Sequence, residues 1–169
     1  MTRNAVAGAA TLAVVATLLA VACGDRGAGG YASIEITGVY VAEPVSGART
    51  AMYFTVANHG ETDDELLSVS TPVAGRAEIH HTYADGGMMR MEPVASLPVG
   101  AGEVVRLAPG GVHVMLLDLR EPLWAGDRIE ATLRFRTLGE VAVRARVVGY
   151  EEIEERLERA NDSVGSESR

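Results

Sequence analysis

The 169-residue chain has almost no cysteine and no lysine at all. Its one cysteine, Cys23, directly follows an apolar N-terminal run. The rest of the chain therefore forms no disulfide and offers no thiolate to a metal or a substrate. All 15 basic residues are Arg, set against 23 acidic ones, for a formal charge of −8; loss of a leader containing Arg3 makes the remainder one unit more negative. That balance argues against nucleic acid as a partner. It would also be repelled by an anionic lipid surface, so attachment to a membrane calls for a covalent anchor. No paired carboxylates, Ser/His/Asp set or phosphate-cradling glycine loop stands near a cluster of reactive side chains, and an enzyme is not expected.

Long apolar runs are confined to the start. Arg3 opens a positive end, Ala5 to Ala22 is apolar apart from Gly and two Thr, and the run stops at Ala20-Val21-Ala22-Cys23-Gly24. This is the pattern of a bacterial export signal over residues 1–22. A cysteine directly after Ala22 resembles the lipobox of bacterial lipoproteins, which makes Cys23 the candidate lipidation site, although Ala20 stands where such boxes usually carry Leu. The alternative is an uncleaved anchor, because the run is near the minimum length for spanning a bilayer. Either way the chain is expected outside the cytoplasm, at the periplasmic or outer face of a bacterial membrane. Residues 23–32 read as a flexible tether.

Beyond the tether the chain is rich in Gly and in short Val/Ile/Leu runs broken by Gly, Pro, Asn and Asp, the mark of many turns. Strands are expected at Ile34–Val41, Ala51–Asn58, Leu66–Thr71, Ala77–Thr82, Met88–Val94, Val104–Ala108, Val112–Leu119, Arg128–Arg136 and Glu140–Val148. About nine short strands imply a single all-β domain over 33–149, a sandwich of immunoglobulin-like form or a barrel. Trp124 is expected to close the sandwich, and Met52 to sit in its core. Over the charged tail, 150–169, Ile153 and Leu157 are four apart, as are Glu152/Arg156 and Glu155/Arg159. That suits a short helix, with residues from Asn161 onward expected to be disordered.

Chemistry concentrates in one stretch. Three of the four histidines (His80, His81, His113) and four of the five internal methionines (Met88, Met89, Met91, Met115) lie between His80 and Met115. Thioether sulfur with imidazole nitrogen is a soft-to-borderline donor set that selects Cu(I). Zinc and iron would call for Cys or carboxylate, and calcium or magnesium for an oxygen cage. In His113-Val114-Met115 both donors leave the same face of a strand, roughly 6–7 Å apart at their Cα atoms. Met89 and Met91 are likewise co-facial while Met88 points away, and His80 and His81 diverge, so one member of each group joins a site most easily.

The spacing carries a resemblance. His80 is followed by ten residues and Met91, then by twenty-one residues and His113, then by Val114 and Met115. This H-x10-M-x21-H-x-M pattern, set in "AEIH", "GGMMRMEPV" and "PGGVHVMLLDL", resembles the periplasmic copper chaperones of the PCu(A)C type. The resemblance implies a cupredoxin-like sandwich binding one copper, preferably Cu(I), through His80, Met91, His113 and Met115. His81 and Met88 are substitutes, above all for Cu(II), which prefers nitrogen, and Met89 packs beneath the site or replaces Met91 if the strand register differs by two residues. It further implies delivery to the dinuclear centre in the copper-bearing subunit of cytochrome c oxidase, sometimes alongside a thioredoxin-like copper protein, by a monomer. Sequestration or sensing without delivery, and a structural lipoprotein with a Met-rich core, are the alternatives. A blue-copper electron carrier needs a Cys thiolate, which Cys23 is not placed to supply.

Overall fold

The apolar/polar alternation becomes extended chain throughout, and the computed structural model, which describes residues 34–45 and 48–166, holds ten strands and one terminal helix. The expected signal at 1–22, Cys23 and the tether at 23–32 lie outside the described residues. The strands are β1 (Ile34–Ala42), β2 (Arg49–Asn58), β3 (Asp64–Ser70), β4 (Ala74–Asp85), β5 (Met88–Pro93), β6 (Leu97–Val99), β7 (Val104–Leu107), β8 (Val112–Leu119), β9 (Arg128–Phe135) and β10 (Glu140–Val148). Nine match the expected strands. The tenth, β6, escapes sequence reading because three residues with Pro98 at the centre carry no periodic signal.

Hydrogen bonding runs in the order β5-β4-β8-β2-β1-β10-β9-β3-β6, with β7 pairing to β2. The neighbours are antiparallel except β1 and β10, which run parallel and join the first and last strands. The path folds over on itself. Met52 and Phe54 of β2 and Val114 and Leu116 of β8 bury against Leu66 of β3 and Leu133 and Phe135 of β9 in one core. The result is an all-β sandwich, and it contains Met52 as expected.

A second, smaller core lies on the outer face of β1 and β2. After a 3₁₀ turn (Tyr150–Glu152), helix α1 (Ile153–Ser166) lays Ile153 and Leu157 onto Ala42, Tyr53 and Val148. Both side chains are fully buried, which contributes about 1.5–3 kcal/mol each. Gly38 permits the approach. It sits at φ +61 beside a register shift in β1, and a Cβ there would lie 2.8 Å from the Ala160 Cβ. Glu152–Arg156 and Glu155–Arg159 pair along the helix as their spacing requires. The expectation of disorder from Asn161 is overturned for residues 161–166, because an anchored helix adds one hydrogen bond for each residue it gains.

Trp124 also departs from expectation. In Pro122-Leu123-Trp124 it is Leu123 that enters the core, and Trp124 is 66% exposed, its backbone N–H tied to Asp127 Oδ2 at 2.8 Å. Among the described residues no helix is long and apolar enough to cross a membrane.

Candidate metal centre

Strands β5, β4 and β8 lie side by side at one end of the path. The β4–β5 hairpin closes through Gly86-Gly87, both at positive φ (58 and 83), which suits a two-residue type I′ turn. Its register has no bulge, so every side chain is assigned to a face. Ile79, Val114 and Leu116 are core residues, and alternation sends His80, His113 and Met115 to the outer face. His80 lies directly opposite His113, Glu78 opposite Met115, and Thr82 opposite Met91. Met91 and Met115 therefore occupy opposite diagonals from His80, each roughly 7–8 Å away. The ring centroids of His80 and His113 are 6.0 Å apart. Residues far apart in the chain, on three strands, thus share one patch.

The remaining candidates divide. Met89, opposite Ala84, shares the face of Met91 one step nearer the hairpin tip. His81 and Met88 take the other face. There His81 stacks beside Tyr83 (5.6 Å between centroids), whose hydroxyl donates to Glu92 Oε2 at 3.3 Å. Burial grades across the patch: His113 is 4% exposed, Met91 53% and Met89 64%.

Both imidazoles are held by one nitrogen and open at the other. His113 Nδ1–H donates to the Gly111 carbonyl at 3.1 Å, and Nε2 makes no hydrogen bond to a described residue. His80 Nε2 lies 3.1 Å from Glu78 Oε2; a carboxylate only accepts, so the proton sits on Nε2 and the lone pair on Nδ1. That Nδ1 is buried and has no partner. An orphaned buried acceptor costs about 1–3 kcal/mol, which a bound ion would recover. Glu78 is itself steadied by Arg76 Nη1 at 2.8 Å, and Arg76 Nε by Asp118 Oδ2 at 3.1 Å. Burial pushes the His113 imidazolium below its usual range, the Gly111 carbonyl opposes this and His80 adds to it. The ring is neutral at neutral pH, the form that ligates.

Among the described residues no three His, Cys, Asp or Glu are arranged to hold a metal. The other donors on the face shared by His80 and His113 include the thioethers of Met91 and Met115, which are soft. Beside His113, the Tyr53 ring lies 6.2 Å away beneath α1. Burial, followed by the nearby Tyr150, pushes the Tyr53 phenol up to about 12, so it packs against the site as a neutral ring.

Sequence reading missed Glu78, Gly111 and Tyr53. Glu78 was within reach, since it stands two residues before His80 and must share its face. Tyr53 was not, because only the β2–β8 register brings it to His113.

A family model described as "Putative lipoprotein LpqE-like" matches residues 34–147. Among curated proteins, "Putative lipoprotein Lxx21020" from Leifsonia xyli subsp. xyli is 33% identical over 103 residues, 60% of this chain and 61% of that protein. "Uncharacterized protein RP573" from Rickettsia prowazekii is 35% identical over 89 residues, 52% of this chain and 49% of that one. The chain thus spans less than two thirds of the length of either curated relative. Among solved structures, CuI-DR1885 from Deinococcus radiodurans aligns with TM-score 0.59 and 32% identity, covering 69% of this chain and 78% of that one. The copper-bound PCuAC domain from PmoF2 aligns with TM-score 0.60 and 26% identity, covering 69% and 92%. The match to the family model ends before α1 begins.

Proposed function

The chain belongs to the LpqE-like lipoprotein family, and from that premise we propose that it is an extracytoplasmic copper carrier that holds one Cu(I) with His80, Met91, His113 and Met115. The observation that carries this reading is the meeting of two imidazoles, each with an unused lone pair, and two thioethers on one outer face of β5-β4-β8. Solved relatives described as copper-bound support it. Neutral thioethers and imidazoles leave the +1 ion its charge and form a weakly bonded, low-coordination shell, suited to release as much as to retention. Thioethers do not titrate, so copper is expected to stay bound as pH falls until the imidazoles take protons, which for His113 occurs below its ordinary 6.5.

Export and anchoring through the lipidated Cys23 are part of the same proposal. So is delivery to the dinuclear copper centre of a cytochrome c oxidase, alone or with a thioredoxin-like copper protein. Exposure suggests the order of events: Met91 is the most open donor and His113 the most enclosed, so an acceptor displaces Met91 first and His113 last.

Competition between the chain from Gly24 onward and a Cu(I) chelator tests the site. One Cu(I) per chain is expected, with affinity weakened at least about a hundredfold in Met91→Leu, His113→Ala and Met115→Leu. Unchanged stoichiometry and affinity in all three would remove copper from the account.

A further inference from the structure

We propose that the open edge of β5 is where the metal acceptor docks, by strand addition: an extended acceptor segment pairs with the backbone of Met89 and Met91 and carries thioether, thiolate or imidazole donors at alternate positions. This deepens the copper-carrier reading and rests on it.

The two ends of the sheet path differ. β6 is three residues long and has Pro98, with no N–H, at its centre, so it offers little to an incoming strand. β5 has six residues in unbroken register with β4, no bulge, and Met88, Met89 and Met91 all more than half exposed. Backbone parity follows from the bonds at its inner end. Val94 N–H donates to Ile79 O at 2.8 Å, and Thr82 N–H, on the other side of β4, donates to Gly111 O at 3.1 Å. In an antiparallel ladder the inward and outward residues alternate. Met88, Arg90 and Glu92 therefore turn their N–H and C=O to β4, and Met89 and Met91 turn theirs outward. Neither outward pair is bonded to a described residue.

Strand addition at this edge has a chemical consequence. The residue pairing with Met91 would sit about 5.5 Å from it at Cα, its side chain on the same outer face as Met91, His80 and His113. The acceptor residue two further along shares that face. A segment with soft donors at alternate positions thus brings them beside the most exposed donor of the site, where ligand exchange begins. A second copy of this chain fits less well. Symmetric pairing of Met89 with the copy's Met91 sets Arg90 against Arg90, and shifting the register spends a pairing position on Pro93, which has no N–H, or leaves Gly87 at the join.

The test uses the Cu(I)-loaded chain from Gly24 onward and a synthetic nine-residue peptide with Met and His at alternate positions between Thr and Val. The control is the same peptide with its central residue replaced by Pro, which removes an N–H and disfavours strand pairing. The alternating peptide is expected to slow amide exchange at Met89 and Met91, with or without metal, and to draw Cu(I) faster than the control. Met89→Pro removes an outward N–H but no bond to β4. It should cut the ratio of peptide-driven to chelator-driven transfer about fivefold to tenfold, the worth of one backbone hydrogen bond. Met89→Leu, which keeps the N–H, should keep the ratio. An unchanged ratio in Met89→Pro, protection mapping away from β5, or protection that grows with protein concentration in the absence of peptide would overturn the docking mode. A parent chain that takes up no Cu(I) yet protects its β5 amides with peptide would instead remove the copper reading and leave the edge intact.

Discussion

Asp64 and His80 are both enclosed polar side chains on strands, yet both carboxylate oxygens of Asp64 have partners while the face around His80 leaves lone pairs unused. Asp64 Oδ1 accepts from the backbone N–H of Glu65 (2.7 Å) and Thr137 (2.9 Å), and Oδ2 from Leu138 (3.0 Å). Next to it, Glu65 is held by Arg136 and Ser96. Burial alone would raise the Asp64 carboxyl, but the N–H groups of Thr137, Glu65 and Leu138 outweigh it and hold the pKa below the usual range. A polar group buried to tie two loops together is closed by its neighbours. At the outer face, one nitrogen of each imidazole is fixed and the other left open, as a ligand needs and a structural tie does not.

The contrast is broken most directly at its closed end. Asp64→Ala strands three backbone donors, and urea unfolding of the metal-free chain should report a loss of about 3 kcal/mol or more with metal stoichiometry unchanged. A loss under about 1 kcal/mol would mean that the corner is not what fastens Thr137 and Leu138 to β3. At the open end, Glu78→Leu releases the His80 proton from Nε2 and should weaken Cu(I) binding about tenfold to a hundredfold. Glu78→Gln, which keeps an acceptor oxygen, should recover most of that. Nitrogen NMR of the metal-free His80 ring reads the cause, since the proton should stay on Nε2 in the Gln variant and spread over both nitrogens in the Leu variant.

Acid acts on both regions with the same sign, because the folded-state pKa values of Asp64 and of His113 are both depressed, but Asp64 loses its contribution at lower pH than His113. A carboxyl whose folded pKa is depressed contributes stability above its unfolded value of about 3.8 and loses it as pH falls through the lower folded value. The parent's urea midpoint should therefore drop more than that of Asp64→Ala between pH 6 and pH 3, and equal drops would deny Asp64 the role. The smallest effect is expected from His80→Leu in the metal-free chain. It removes an unpartnered buried nitrogen but also the bond from Nε2–H to Glu78, two effects that oppose, so stability should change by less than about 1 kcal/mol in either direction. A loss near that of Asp64→Ala would make His80 a structural residue.

Much of the fold is readable because strands with one buried face alternate, and nine of the strands show themselves in that way. β6 does not, being too short to alternate. Size alone points Trp124 inward, whereas its neighbour Leu123 fills the available space. At the site, the two-residue step from His113 to Met115 already places both side chains on one face. The divergence of His80 from His81, and of Met88 from Met89, is equally legible, and the structure sets them on opposite faces as the pleat demands.

Composition and spacing alone determined that the domain is built of short strands and that its reactive donors are sulfur and imidazole without thiolate, because alternation and ligand softness are properties of residues and their order. Only the tertiary structure decided that Met91 lies beside Thr82 and thus diagonal to His80, that Glu78 and Gly111 choose which nitrogens stay open, and that β5 ends the sheet path among the described residues. Those depend on register between strands, which turn geometry and burial of the shared core set together across long stretches of chain.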